Sequence, residues 1–110
     1  MEYELILCII NKGFSDNVME VVTKAGARGG TVINARGTAK EEAEKLFGLA
    51  INPEKEIVLI VINKDLKDDI LKAIYTNCGL DSAGQGIAFA MPIDEAVGLN
   101  PVDLVKEEDK

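Results

Sequence analysis

Three glycines fall within eight residues at Gly79, Gly84 and Gly86, in the stretch GLDSAGQGIAFAMPID from 79 to 94. Such a loop can adopt positive φ and bring its backbone close to a ligand, and its N–H groups can cradle an anion. Glycine loops are also ordinary connections, so the loop needs cationic company to count as an anion site. Arg28, Arg36, Lys40 and Lys55 cluster in sequence around GGTVINA and the long segment after it. Arg28 and Arg36, which flank that stretch, are the best candidates for charge-assisted bonds to an anion. The chain has no His. A histidine base, a Ser-His-Asp triad and histidine metal ligation are therefore excluded. Cys8 sits in an apolar run and Cys78 at a helix end, both readable as small buried hydrophobes. No carboxylate stands in an apolar setting that would mark a general acid, so enzymatic function has little support and no metal site is expected.

Positioning these residues requires a compact domain, and 110 residues allow one. With 47% hydrophobic and 28% charged residues, the composition is that of a globular protein. A net charge of −7 and only 5% aromatics argue against a nucleic-acid partner. Two cysteines make no disulfide framework, the acidic start is unlike a signal peptide, and no apolar run approaches a membrane span. The expected setting is cytoplasmic.

The element order follows from periodicity. LILCII (5–10) predicts a strand closed by Asn11-Lys12-Gly13. Ser15 or Asp16 is the expected cap of a helix carrying Val18, Val21, Val22 and Ala25, with Gly26 stopping it. Residues 31–35 predict a second strand and EIVLIVI (56–62) the strongest one. Asp65 is the expected cap of a second helix with Leu66, Ile70, Leu71, Ile74 and Cys78 inward, ended by Gly79. Ile87–Met91 predicts the last strand, terminated by Pro92. Between the second and third strands, residues 36–55 form a long connection of the kind that is functional or mobile. Ala43, Leu46, Phe47 and Ala50 recur there at helical spacing, with Glu41, Glu42 and Glu44 as a solvated face. Residues 101–110 read as a polar tail beyond a domain of residues 1–100.

The resulting β-α-β-β-α-β order is the ferredoxin-like, α+β pattern: a four-stranded antiparallel sheet with both helices on one face. LILCII, IVLIVI and IAFAM are apolar on both faces, whereas an exposed sheet face should alternate with polar residues. Two helices cover one face only, so another copy of the chain must bury the second. Val58 and Ile60 are candidates for the outward positions on the third strand, although alternation alone leaves the parity open.

GARGGTVINARG and GQGIAFAMPID, in that element order, resemble the PII (nitrogen regulatory) signal-transduction family over residues 3 to about 99. The resemblance implies a homotrimer that binds AMP, ADP or ATP between subunits, needs no cofactor and regulates a partner, a transporter or an enzyme. Contact with that partner would run through a T-loop, here a shortened one at 36–55. It implies that Thr31 lies near the adenine, that Gly37 follows the basic Arg36 as the family glycine does, and that Gly79 to Gly86 form the phosphate-side loop, with Gly84 and Gly86 as its two family glycines. Lys55 stands near the family lysine of the third strand. Gln85 replaces the family Asp and Ile87 the family Lys. The arginine pair after the last strand is missing, and 36–55 contains no Tyr to be modified. These losses weaken the expected grip on a triphosphate. A second resemblance, to the trimeric cation-tolerance family, would instead imply divalent-cation binding by carboxylates.

Overall fold

The computed structural model describes residues 2–38 and 53–99. Strand β1 (Tyr3–Asn11) leads into helix α1 (Ser15–Lys24), strand β2 (Thr31–Arg36) and strand β3 (Glu54–Asn63). A 3-10 turn (Lys64–Leu66) then feeds helix α2 (Lys67–Cys78), and strand β4 (Ile87–Ile93) closes the fold. The strands form one antiparallel sheet in the order β2-β3-β1-β4. Both helices lie on one face, as a ferredoxin-like α+β chain requires.

The sheet's parity is set by which residues the helices cover. Ile6, Cys8 and Ile10 of β1 and Val58, Ile60 and Ile62 of β3 are buried against Val18 and Val22 of α1 and Ile70, Ile74 and Cys78 of α2. Each buried Ile or Val stabilises the fold by roughly 1.5–3 kcal/mol relative to exposure. Val58 and Ile60 therefore face the helices, contrary to the expectation that they point away; both are 0% exposed. The outward row is the other parity, Leu5, Leu7 and Ile9 on β1 beside Ile57, Leu59 and Val61 on β3. Ile87, Phe89 and Met91 of β4 and Ile33 of β2 extend it. Ile33, Ile87 and Phe89 remain 44–50% exposed, which leaves an apolar sheet face uncovered within one protomer.

The helix boundaries correct the sequence expectation at their starts. Neither Ser15 nor Asp16 caps α1; Phe14 holds the cap position and no side chain bonds there. Phe14 packs on the core as the chain turns through Gly13, so tertiary contact outranks local capping chemistry. Asn63, not Asp65, provides the cap of the 3-10 turn: its side-chain oxygen accepts the Asp65 N–H at 3.0 Å. The end of α1 is as expected. Gly26 (φ +114°) donates to the Thr23 carbonyl, and Ala27 donates to that of Val22 at 2.9 Å. This paired bonding satisfies the carbonyls of the last helical turn. Pro92 does not end the last strand, which runs to Ile93. As β4 is an edge of the sheet, alternate N–H groups have no ladder partner to lose. The expected helix on Ala43, Leu46, Phe47 and Ala50, its Glu41, Glu42 and Glu44 face and the tail at 101–110 lie outside the described residues.

Candidate functional site

The loop between α2 and β4 is built on the second helix. Gly79 ends α2 in extended backbone, with φ −66° and ψ −178°. Ser82 donates to the Gly79 carbonyl twice, through its N–H at 2.9 Å and its hydroxyl at 2.6 Å. Gln85 donates its N–H to Ser82 at 3.0 Å, and Gly86 donates to the Cys78 carbonyl at 2.7 Å. Two of the donors expected for a ligand at Gly84-Gln85-Gly86 are thus used within the loop. Among the described residues the N–H groups of Ala83 and Gly84 have no backbone acceptor.

The glycines serve close packing, and the positive φ falls elsewhere. Gln85 is the residue in the left-handed region, at φ +50°. A Cβ on Gly86 would overlap the Cys78 carbonyl oxygen, and one on Gly79 would lie 2.6 Å from the Tyr75 carbonyl. At Gly84 a Cβ would press on Ile10 and Phe14, at 3.1–3.3 Å. Enlarging Gly86 would therefore deform the loop itself before it obstructed a ligand.

A polar residue that the sequence reading used only to close a strand ties this loop to the rest of the sheet. Asn11, 7% exposed at the end of β1, donates its side-chain amide to the Ala83 carbonyl at 3.1 Å and reaches Gln85 Oε1 at 3.4 Å. Its backbone N–H donates to the Gly84 carbonyl at 2.9 Å. The Asn11 Oδ1 accepts Lys55 Nζ at 2.6 Å. Lys55 is paired with Asn11 in the sheet, and its stem runs beside Gly37, whose N–H donates to the Pro53 carbonyl at 2.6 Å. Arg36 ends β2 opposite Glu54. One end of the sheet therefore gathers Gly37, Lys55, Ala83, Gly84 and Gln85 around Asn11; Arg36 ends β2 at the same end, in the alternate row with Val32 and Val58.

Arg28 and Thr31 stand apart from that group. They line a cleft of about 620 Å³ together with Tyr3, Leu59, Val61 and Asn63. Thr31 pairs with Leu59, four residues along β3 from Lys55, a separation of about 13 Å. Arg28 precedes β2 and Arg36 is its last residue, and the six extended residues span roughly 20 Å. The expected cationic cluster is thus divided between two ends of the sheet, because β2 runs between its members; Lys40 lies outside the described residues.

The two thiols are inert packing. Cys8 and Cys78 are both fully buried, and burial, with a smaller contribution from Cys78, pushes the Cys8 thiol up to about 11. Among the described residues no three His, Cys, Asp or Glu side chains come together as a metal site.

Such a sheet, with a glycine loop and a strand-base lysine at one end and a cleft of mixed polarity at the other, belongs to the ferredoxin-like class of α+β folds. Its fold matches that of Arabidopsis thaliana PII, solved bound to citrate, at a TM-score of 0.67 and 22% identity over 88% of this chain and 80% of that one. It matches B. subtilis GlnK equally, at 0.67 and 16% identity over 92% and 93%. The sequence profile of the nitrogen regulatory protein P-II family matches residues 3–101. The chain belongs to that family. Two GlnB-like proteins of nitrogen-fixation gene regions are similar to it over 94 residues, 84% of this chain and 90% of theirs: 26% identical in Methanosarcina barkeri and 28% in Methanothermococcus thermolithotrophicus.

Proposed function

We propose that this protein is a non-enzymatic PII-type regulator, a cytoplasmic homotrimer that senses an adenine nucleotide in clefts between protomers. It acts on a partner protein, a transporter or an enzyme, through the connection at 36–55. The observation that carries this reading is the division of the site residues. Arg28 and Thr31 occupy one end of the sheet, and Arg36, Gly37, Lys55 and the 84–86 loop the other. Neighbouring copies that bring opposite ends together would let one small ligand touch both groups at close range. The uncovered row around Leu7, Leu59 and Phe89 supplies the apolar surface for such packing.

The charge inventory sets the ligand's size. Arg36 and Lys55 at one end and Arg28 at the other can neutralise one or two phosphates but hardly three. Adenine nucleotides are therefore expected to bind in the micromolar range or weaker, about −8 kcal/mol at most, with AMP or ADP no poorer than ATP. Titration calorimetry with the three nucleotides tests this. Arg36→Ala should weaken binding roughly tenfold or more by removing a charge-assisted bond. Absence of any adenine-nucleotide binding at millimolar concentration would leave only the scaffold and its loop from this reading.

A further inference from the structure

Asn11 occupies a position that its chemistry specifies closely. Its two side-chain atoms meet partners that cannot exchange roles: the Lys55 ammonium at 2.6 Å only donates, and the Ala83 carbonyl at 3.1 Å only accepts. That fixes the amide's orientation without ambiguity. Asp in its place could hold Lys55 but could not donate to Ala83, and an aliphatic residue could do neither. The side chain also links Lys55 to Gln85, whose left-handed backbone at φ +50° is costly for a residue other than glycine. Lys55 itself touches the foot of the long connection through Gly37.

We infer that Asn11 is a positioning residue that couples the 79–86 loop to the foot of the 36–55 connection by holding Lys55 in competition with an anionic ligand. The ammonium has three donors, and the neutral amide oxygen of Asn11 is a weaker partner for it than a phosphate or carboxylate oxygen. An anion that draws Lys55 away leaves Asn11 Oδ1 buried and short of a donor. The amide then shifts, and its bonds to Ala83 and Gln85 loosen. A ligand's charge, arriving at the foot of one loop, is in this way felt in the other. A neutral ligand of the same shape has nothing with which to compete for the ammonium.

The coupling is testable without any ligand, and only the final arm rests on the adenine-nucleotide reading. Amide hydrogen exchange is followed at Gln85 and Gly86, with Ile60 as a core reference. Lys55→Met should speed exchange at Gln85 and Gly86 about tenfold while leaving Ile60 unchanged. The same substitution made on Asn11→Ala or Asn11→Asp should add less than about twofold, because the transmitting amide is already gone. Asn11→Asp keeps the side chain's shape and serves if Asn11→Ala proves unstable. An unchanged loop in Lys55→Met, or an equal response with and without Asn11, overturns the proposal. In the final arm AMP should alter exchange at Gln85 and Gly86 and adenosine should not. Asn11→Asp should weaken AMP binding about tenfold by opposing it with a carboxylate, and Asn11→Ala by less than about threefold. Equal weakening by both variants would reduce Asn11 to a structural prop and also overturn the proposal. Failure of AMP to bind the unmodified protein would sink the nucleotide reading alone, since the ligand-free arm still decides the role of Asn11.

Discussion

Replacing Gly86 by Ala should damage the fold through one atom. The new Cβ would overlap the Cys78 carbonyl oxygen, the same atom that accepts the Gly86 N–H at 2.7 Å. Relief requires the loop to move off the end of α2. That forfeits a bond worth about 1 kcal/mol and leaves a buried carbonyl without its donor, at a further 1–3 kcal/mol. The total is about 2–4 kcal/mol. With a urea dependence of about 2 kcal/mol per molar, the midpoint should fall by about 1–2 M. Urea titrations at matched protomer concentration are needed, since assembly would make the midpoint concentration-dependent. Gly84→Ala is the control. Its Cβ meets side-chain atoms of Ile10 and Phe14 at 3.1–3.3 Å and no backbone atom that close, so a shift of a few tenths of an ångström relieves it and the cost should stay near 1 kcal/mol. If Gly86→Ala lies within about 0.5 kcal/mol of the unmodified protein, the close approach of loop and helix is wrong.

Charges on the two faces of β3 should act differently. Leu59→Glu on the uncovered face should give folded protein of lower mass by light scattering, whereas Ile60→Glu buries a charge in the core and should unfold it. An unchanged mass for Leu59→Glu would count against the apolar face as an interface. The Cys8 thiol ionises at about 11 in the folded chain and near 9.0 when unfolded. The unfolded state therefore loses its proton first, so stability is undiminished below about pH 9 and declines from there to about pH 11. Cys8→Ala should flatten that decline by about 2 kcal/mol, read as the difference between the two pH profiles; parallel profiles would contradict the burial argument. Asn63→Ala should cost about 1 kcal/mol in thermal or urea unfolding by removing the cap on Asp65, and Asp65→Ala should cost less.

The strands were legible because LILCII and IVLIVI are too short and too β-branched for helices, and the Gly26 stop because its paired bonding is local. Parity was not: a strand apolar on both faces carries no alternation, so only the helices of the folded chain decide that Val58 and Ile60 go inward. The caps failed for a related reason, since Phe14 is drawn to its place by the core and not by its neighbours in sequence. Gly84 and Gly86 were recognisable as a tight loop, but sequence cannot separate a glycine needed for φ from one needed for space. Asn11 was hidden by its distance from its partners, Lys55 lying 44 residues away and Ala83 72. The one available signal was a polar residue closing an otherwise apolar run.

The shared nature of the site is tested most directly by complementation between two defective protomers. Arg28→Ala with Thr31→Ala removes one end of the site, and Lys55→Met with Arg36→Ala removes the other. Each variant alone should bind AMP at least about tenfold more weakly than the unmodified protein. Unfolded together in equal amounts and refolded, they should form mixed trimers in which about a quarter of the clefts pair two intact ends. Calorimetry of the mixture should then recover full-affinity binding at about that fraction of sites. Mixed trimers, verified by mass, that recover no full-affinity sites would contradict a ligand held between protomers.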